Sequence, residues 1–442
     1  AGAVEEVKSA DGAVSLTRNG KKRIVITGMG VVSAHGNDVD VFYDKLLAGE
    51  SCISKISGWE TPEDLSTVFA GEIKDFDPDV YMAKKQARRV DPYIAYMIVA
   101  AKKALQHAGL PFGKSDEMEA VVNTARAGCL IGSAMGGMHS FSKATESLVT
   151  TGGPRKMNPF CIPFAITNMG SALTAMDLGF MGPNYSISSA CATGNFCILN
   201  SMDHIRNDEA DIMLAGASDA AVLPSGMGGF AAAKALSRRN DDPQAASRPW
   251  DKNRDGFVMG EGAGVLVLES LEHALKRGAP ILAEVLGGSY SCDAHHMTEP
   301  LPDGRGVEMA IDKALAACGI KAEEVNYINA HATSTPAGDM AELRVLQRKF
   351  GGNPGVKINS TKGMIGHLLG AASAVEAVAC VKAITEGWVH PNINLVDPEP
   401  GVEMHMLVGP VKEQLKVNVA LSNSFGFGGH NSAVLFTAYK PQ

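Results

Sequence analysis

Ala100-Ala-Lys-Lys-Ala-Leu-Gln-His-Ala-Gly-Leu110 and Ala310-Ile-Asp-Lys-Ala-Leu-Ala-Ala-Cys-Gly-Ile320 are two versions of one pattern. Each reads as a helix that stops on glycine, followed by a strand and a loop of small residues. Further along, Tyr185-Ser-Ile-Ser-Ser189 runs into a helix at Cys191, as Val356-Lys-Ile-Asn-Ser360 runs into one near His367. Ile212-Met-Leu-Ala-Gly216 and Val417-Asn-Val-Ala-Leu421 complete the parallel. Three matches in the same order predict a duplicated chain. Its halves would pack face to face and press their central helices together. A long helix is expected from Asp91 to a stop at Gly109. Strands are expected at 23–28, 129–132, 185–188, 212–215, 264–268, 281–286, 325–329, 356–359, 417–422 and 433–437. Helices alternating with uniformly apolar strands predict an α/β fold with parallel sheets covered on both faces.

The chain has 442 residues, 45% of them hydrophobic and 20% charged, which excludes global disorder and allows a large core. Its 40 basic and 48 acidic side chains leave a net charge of −8, which argues against a general nucleic-acid binder. Any basic docking patch must be local. The eight cysteines include no Cys-x-x-Cys pair, so neither a disulfide framework nor a zinc knuckle is expected, and the thiols should be reduced. Leu178 to Met202 carries no charge, yet its glycines, proline, asparagines and serines read as strand, turn and buried helix rather than a membrane span. Residues 1–20 lack apolar periodicity and a secretory signal, and read as the flexible start of a processed or trimmed chain.

Gly28-Met-Gly30-Val-Val-Ser33 misses the dinucleotide fingerprint, having serine for the third glycine and no acidic residue at the required distance. His295-His296 has no carboxylate or thiolate at metal-ligand spacing. Ser186-Ile-Ser-Ser-Ala-Cys191-Ala-Thr-Gly194 is more informative. It places a cysteine between a strand and a helix whose first turn is all small residues, where the helix dipole would favour thiolate. Cys197, Cys318 and Cys380 fall instead on apolar helix faces. His331 ends a predicted strand before the hydroxyl-rich Ala-Thr-Ser-Thr335, and His367 stands at the mouth of an Ala/Gly helix. Either histidine alone fits a structural role. The loop Asn423-Ser-Phe-Gly-Phe427-Gly-Gly-His430-Asn431 offers flexible backbone donors, the ingredients of an oxyanion hole. A cysteine, two histidines and this loop together suggest acyl-thioester chemistry.

From about Lys22 to Ala438 the chain resembles the elongating β-ketoacyl-[acyl-carrier-protein] synthases of plastids and bacteria. The resemblance is carried by Ser188-Ser-Ala-Cys191-Ala, Arg248-Pro-Trp-Asp-Lys-Asn-Arg-Asp-Gly-Phe257, His331-Ala-Thr-Ser-Thr-Pro-Ala-Gly-Asp339, Thr361-Lys-Gly-Met-Ile-Gly-His367 and Asn423-Ser-Phe-Gly-Phe-Gly-Gly429. Ala332 and His430 stand where bacterial members usually have Gly and Thr. The resemblance implies the thiolase fold, an αβαβα five-layered α/β arrangement of two similar halves, with 21–275 carrying the cysteine and 276–442 the histidines. It implies a homodimer, an acyl-carrier-protein partner, no cofactor, and no nucleic-acid or membrane partner. A plastid setting is expected first, with the mitochondrial matrix or bacterial cytoplasm as alternatives.

By the same resemblance Cys191 is the nucleophile, and the N–H groups of Cys191 and Phe427 hold the oxyanion. His331 and His367 donate to the malonyl thioester oxygen, while Lys362 and Glu342 form an orienting charged pair with Asp339 nearby. Thr333 and Thr335 bind the pantetheine arm, Phe427 gates the site, and Met135 and Phe230 line the acyl pocket. Lys84, Lys85, Arg88, Arg89, Arg155, Lys156 and Lys234 match or neighbour carrier-docking positions. Asn329, Glu376, Ser422 and Asn423 match a monovalent-cation site. Three rivals stay open. A degradative thiolase would place a second cysteine in the 425–431 loop, an initiating synthase would have asparagine at His367, and a non-catalytic chain-length partner would lack the Cys191 nucleophile.

Overall fold

The computed structural model describes residues 4–8 and 14–440, with side chains from Thr17 onward. Its frame is a nine-stranded sheet. In chain order the elements that position the site are β1 (Ile24–Val32), α1 (Pro92–His107), β2 (Ala127–Gly132), α2 (Thr193–Arg206), β3 (Ile212–Asp219) and β4 (Gly262–Ser270). The second half supplies β5 (Ala283–Cys292), α3 (Arg305–Cys318), β6 (Val325–Asn329), α4 (Pro336–Phe350), β7 (Lys357–Asn359), α5 (Gly370–Glu386), β8 (Val419–Gly426) and β9 (His430–Thr437).

The strand order is β7-β6-β8-β9-β5-β1-β4-β3-β2. Reading outward from the β5–β1 junction gives the same plan twice: first strand, last, penultimate, second. The junction is short and antiparallel, pairing Ala283, Glu284 and Val285 with Ile26, Val25 and Ile24. α1 covers the outer face of β1 and β4, while α3 covers β5 and β9 with α4 beside it. α2 and α5 lie between the two half-sheets and touch strands of both. The result is five layers, αβαβα. The three internal repeats occupy equivalent places: the ends of α1 and α3, the segments before α2 and α5, and β3 and β8.

Three expectations are corrected. The sheet is mixed, since β3–β4, β1–β4 and β8–β9 pair antiparallel while β2–β3, β6–β7 and β6–β8 are parallel. The reason is connectivity: β8 returns directly into β9 through a short turn, and such a turn can join only antiparallel strands. Residues 185–188 form no ladder, and the segment touches the sheet through one bridge, Cys129 to Asn184. Of the segment 1–20, residues 1–3 and 9–13 lie outside the described residues. Val4–Lys8 pairs antiparallel with Val14–Arg18, which pairs with Lys21–Lys22. The alternation Val14-Ser-Leu16-Thr is the strand signal that the sequence offers there.

Burial explains Gly28 and Gly30 without a nucleotide. A Cβ on Gly28 would stand 2.1 Å from the Ala104 carbonyl oxygen, and one on Gly30 1.9 Å from that of Ala100. These glycines let β1 approach α1, whose residues Tyr93 to Ala101 are buried without a break. No helix of the described residues is long and apolar enough to cross a membrane. Gly30→Ala should therefore destabilise the fold by at least about 2–3 kcal/mol through overpacking against backbone. Gly113→Ala, where nothing lies within 4 Å, is the control and should change stability by under about 1 kcal/mol. Urea unfolding of both variants measures the difference.

Candidate active site

Cys191 is presented by strain. Ala190 before it has φ 47°, a left-handed conformation costly for a residue with a side chain, and Ser189 bridges to Cys191 across this turn. α2 starts two residues later, with Ala192 as its N-cap. The Phe427 loop comes in from β8 and closes over the thiol. A Cβ on Gly426 would meet the Ser189 oxygen at 2.8 Å and the Cys191 nitrogen at 3.0 Å, so only glycine permits that approach.

Each histidine is fixed through its backbone. The His331 and Ala332 N–H groups donate to the two carboxylate oxygens of Glu342 at 2.9 and 2.8 Å. The His367 N–H donates to Val258, and the His367 carbonyl accepts from Gly260. His367 Nε2 then lies 3.0 Å from Cys191 Sγ. The His331 and His367 rings meet edge to face, with centroids 5.3 Å apart. One ligand atom from each of Cys191, His331 and His367 lies within 4.8 Å of the others. Sequence separation hid a tight cluster.

Burial sets the charge states. It drives both imidazoles well below their ordinary value, helped by the positive Lys362, so both rings are neutral at neutral pH. Lys362 and Glu376 form an ion pair, each only 1% exposed. The expected Lys362–Glu342 pair is thus corrected. Glu376 lies nearly two turns into α5 and meets the ammonium, whereas Glu342 is occupied by the His331 and Ala332 N–H groups and by Asn423. Burial also pushes the Cys191 thiol up to about 12, against the pull of Lys362 and of the Phe427 and Cys191 N–H groups. The expectation of a helix-depressed thiol is corrected too. Loss of hydration around the thiol outweighs what the helix N-terminus and the neighbouring N–H groups give back.

The other expected site residues differ in their surroundings. Phe427 is 39% exposed and begins an aromatic line through Phe230 and Phe257 to His367, with centroid steps of 6.4, 5.5 and 5.2 Å. Met135 and Phe230 pack on one apolar cluster with Met227, Phe257 and Leu369. The Thr333 and Thr335 hydroxyls are 3.0 Å apart, and Asp339 caps the Thr335 and Trp250 N–H groups. Lys84, Lys85, Arg88, Arg89, Arg155, Lys156 and Lys234 are all exposed, and Lys84 pairs with Asp77. Asn329 Oδ1, Glu376 Oε2, Ser422 Oγ and Asn423 Oδ1 are buried oxygens without a hydrogen-bond partner. Two further side chains join the site from within the quoted motifs, where nothing local marks them. The Ser424 hydroxyl donates to the Cys191 carbonyl and lies 3.3 Å from His331 Nδ1, and Phe257 packs edge-on against His367.

Residues 21–274 match the N-terminal domain of β-ketoacyl synthases, and residues 282–396 match their C-terminal domain. The chain belongs to the β-ketoacyl synthase family. It is 60% identical over 420 residues to the chloroplastic 3-oxoacyl-[acyl-carrier-protein] synthase II of Arabidopsis thaliana, covering 95% of this chain and 76% of that one. It is 46% identical to the 3-oxoacyl-[acyl-carrier-protein] synthase 2 of Vibrio cholerae, over 94% and 99% of the two chains. A β-ketoacyl synthase from Burkholderia phymatum superposes with TM-score 0.87 at 31% identity, covering 95% of this chain and all of that one. A polyketide ketosynthase, in a complex described as holding its acyl-carrier protein, superposes at 0.85 with 32% identity, over 95% of this chain and all of that one.

For this family member the raised thiol has a measurable consequence. Alkylation of Cys191 by an uncharged reagent should climb about tenfold per pH unit between pH 7 and 9, because the thiolate is a small and growing fraction. Peptide mass spectrometry must resolve Cys191 from the exposed Cys292. A rate that levels off below pH 8 would mean that the thiol is lowered rather than raised.

Proposed function

We propose that the chain elongates fatty acyl groups by decarboxylating Claisen condensation. It joins an acyl-[acyl-carrier protein] to malonyl-[acyl-carrier protein] and yields 3-oxoacyl-[acyl-carrier protein] and CO2. The observation that carries this reading is the Cys191–His331–His367 cluster, closed in by the Phe427 loop. In the first half-reaction Cys191 Sγ attacks the acyl thioester carbonyl, and the carrier thiol leaves with the proton that Cys191 gives up. The N–H groups of Cys191 and Phe427, which face Sγ, hold the oxyanion.

In the second half-reaction malonyl carrier protein takes the vacated place. Its carboxylate leaves as CO2 while negative charge builds on the thioester oxygen. His331 and His367 donate N–H groups to that oxygen, and being neutral they do not trap the enolate as an ion pair. The enolate carbon then attacks the acyl-Cys191 carbonyl and expels Sγ as thiolate, which takes up a proton from solvent to restore the thiol. Lys362, held by Glu376, keeps the field at the cluster positive, and Glu342 fixes the His331 segment. Thr333 and Thr335 bind the pantetheine arm, Phe427 gates its entry, and Met135 and Phe230 line the acyl pocket. The four unpartnered oxygens of Asn329, Glu376, Ser422 and Asn423 suit a monovalent cation, which would brace β6, β8 and α5 behind the histidines.

The rivals are disfavoured by the residues present. The 425–431 loop has no cysteine, position 367 is histidine, and Cys191 is in place. The exposed lysines and arginines at 84–89, 155–156 and 234 suit an acidic carrier protein. A homodimer is supported by exposed Phe141, Val149, Phe160, Ile162, Met176 and Met181, and by the position of β2 at the end of the sheet. A plastid setting follows the chloroplastic relatives.

His367→Ala should still form acyl-Cys191 but release CO2 from malonyl carrier protein about 10²–10³ times more slowly, the usual cost of losing one such donor. Labelled CO2 release beside acyl-enzyme mass tests this. Normal decarboxylation with failed acylation would reassign the histidine to the thiol. Reversing Arg88 and Arg89 to Glu should raise KM for carrier-protein substrates about tenfold and flatten its salt dependence, leaving small pantetheine thioesters unaffected. Equal losses on both substrates would sink the docking assignment.

A further inference from the structure

Asp219 closes β3 as a fully buried carboxylate that makes or breaks no bond in the condensation, although its charge adds to the upward push on the Cys191 thiol. Among the described residues no basic side chain forms an ion pair with it. It is held by four donors instead. Oδ1 accepts from the Ser133 hydroxyl at 2.7 Å and the Met135 N–H at 2.9 Å. Oδ2 accepts from the Ala134 N–H at 3.0 Å and the Gly370 N–H at 2.8 Å. Burial raises this carboxyl to about 6 against those four donors, so it remains mostly ionised at neutral pH.

Those donors come from opposite halves of the molecule. Ser133, Ala134 and Met135 follow β2, and the Ser133 hydroxyl also accepts from the Gly136 N–H, which makes the loop compact. Gly370 opens α5, directly after Leu369. Leu369 has φ 53° and ψ −124°, a backbone region that a branched side chain enters only when its surroundings hold it there. The Leu369 side chain is buried in the apolar cluster on which Met135 and Phe230 pack. The Ala134 carbonyl in turn accepts from the Ser188 hydroxyl, three residues before Cys191. One carboxylate therefore ties the Met135 loop to the strained Leu369 turn.

We propose that Asp219 is a positioning residue for acyl-chain length, clamping the Met135 loop and the Leu369–Gly370 turn together as the two walls of the acyl pocket. This rests on reading Met135 and Phe230 as pocket-lining residues. Asp219 touches no substrate; it acts through where it holds Met135 and Leu369. Releasing the clamp frees Leu369 from its strained turn and lets the walls part, so longer acyl groups gain.

The test compares kcat/KM for a long and a short acyl-carrier-protein acceptor on wild type and three variants. In Asp219→Asn one acceptor oxygen becomes an NH2 that must face a backbone N–H in either orientation of the amide. The long-to-short ratio should rise about tenfold, the scale on which pocket contacts discriminate chain length. Decarboxylation of malonyl carrier protein without an acceptor should stay within about twofold, since the bonds to Val258 and Gly260 hold His367 independently of the clamp. Ser133→Ala removes a neutral donor from one wall only and should move the ratio the same way by less, which keeps the proposal testable if Asp219→Asn folds poorly. Met135→Ala controls for the pocket reading. If it shifts the ratio while Asp219→Asn and Ser133→Ala lower only thermal stability or kcat for every acceptor alike, the clamp is refuted and the pocket stands. If no variant shifts the ratio, the pocket is misassigned and the clamp falls with it.

Discussion

The contact between α2 and α5 is the constraint on which the site depends. Both helices run between the half-sheets and open on small residues: Thr193 and Gly194 on one, Gly370, Ala371 and Ala372 on the other. Large side chains there would hold the helix ends apart. As it is, the Asn195 N–H donates to the Ser373 hydroxyl at 3.1 Å, across the boundary between the halves. That closeness brings Cys191, just before α2, within 3.0 Å of a ring nitrogen of His367 from the segment before α5. A duplicated fold thus supplies a bimolecular arrangement within one chain, one half presenting the thiol and the other the imidazoles.

The same burial decides the electrostatics. A cluster enclosed by two half-sheets and two helices cannot keep several isolated charges, because each would lose its hydration. The thiol is pushed toward its protonated form and the imidazoles toward their neutral form, and the one full charge pair described at the cluster, Lys362 with Glu376, is closed on itself. Removing either partner would leave the other buried and unpaired, a loss of about 3–5 kcal/mol. In the proposed condensation, neutral donors beside a fixed cation would stabilise charge that exists only during reaction. Backbone strain at Ala190, Ser334 and Leu369 borders this same region, where surrounding contacts are dense enough to sustain it.

Much of this was legible in the chain because it rests on local pattern. The repeats at 100–110 and 310–320 disclosed the duplication, and the small residues around Cys191 and after His367 marked helix ends open to close approach. Legibility failed where the deciding partner was remote. Glu342 and Glu376 are both acidic residues on helices, and nothing in their neighbourhoods says which one meets Lys362. Strand direction failed for a like reason. Apolar runs report burial on both faces but carry no sign for parallel or antiparallel pairing.

By itself the sequence determined the α/β class and the two-half plan and singled out Cys191, His331 and His367 as candidates, since these follow from periodicity, glycine stops and residue type along short stretches. Only the tertiary structure decided the protonation of Cys191, the Lys362–Glu376 pairing and the role of Gly28 and Gly30. The physical reason is common to all three. Desolvation, ion pairing and backbone clash depend on which groups lie within a few ångströms in space, and those groups are distant along the chain.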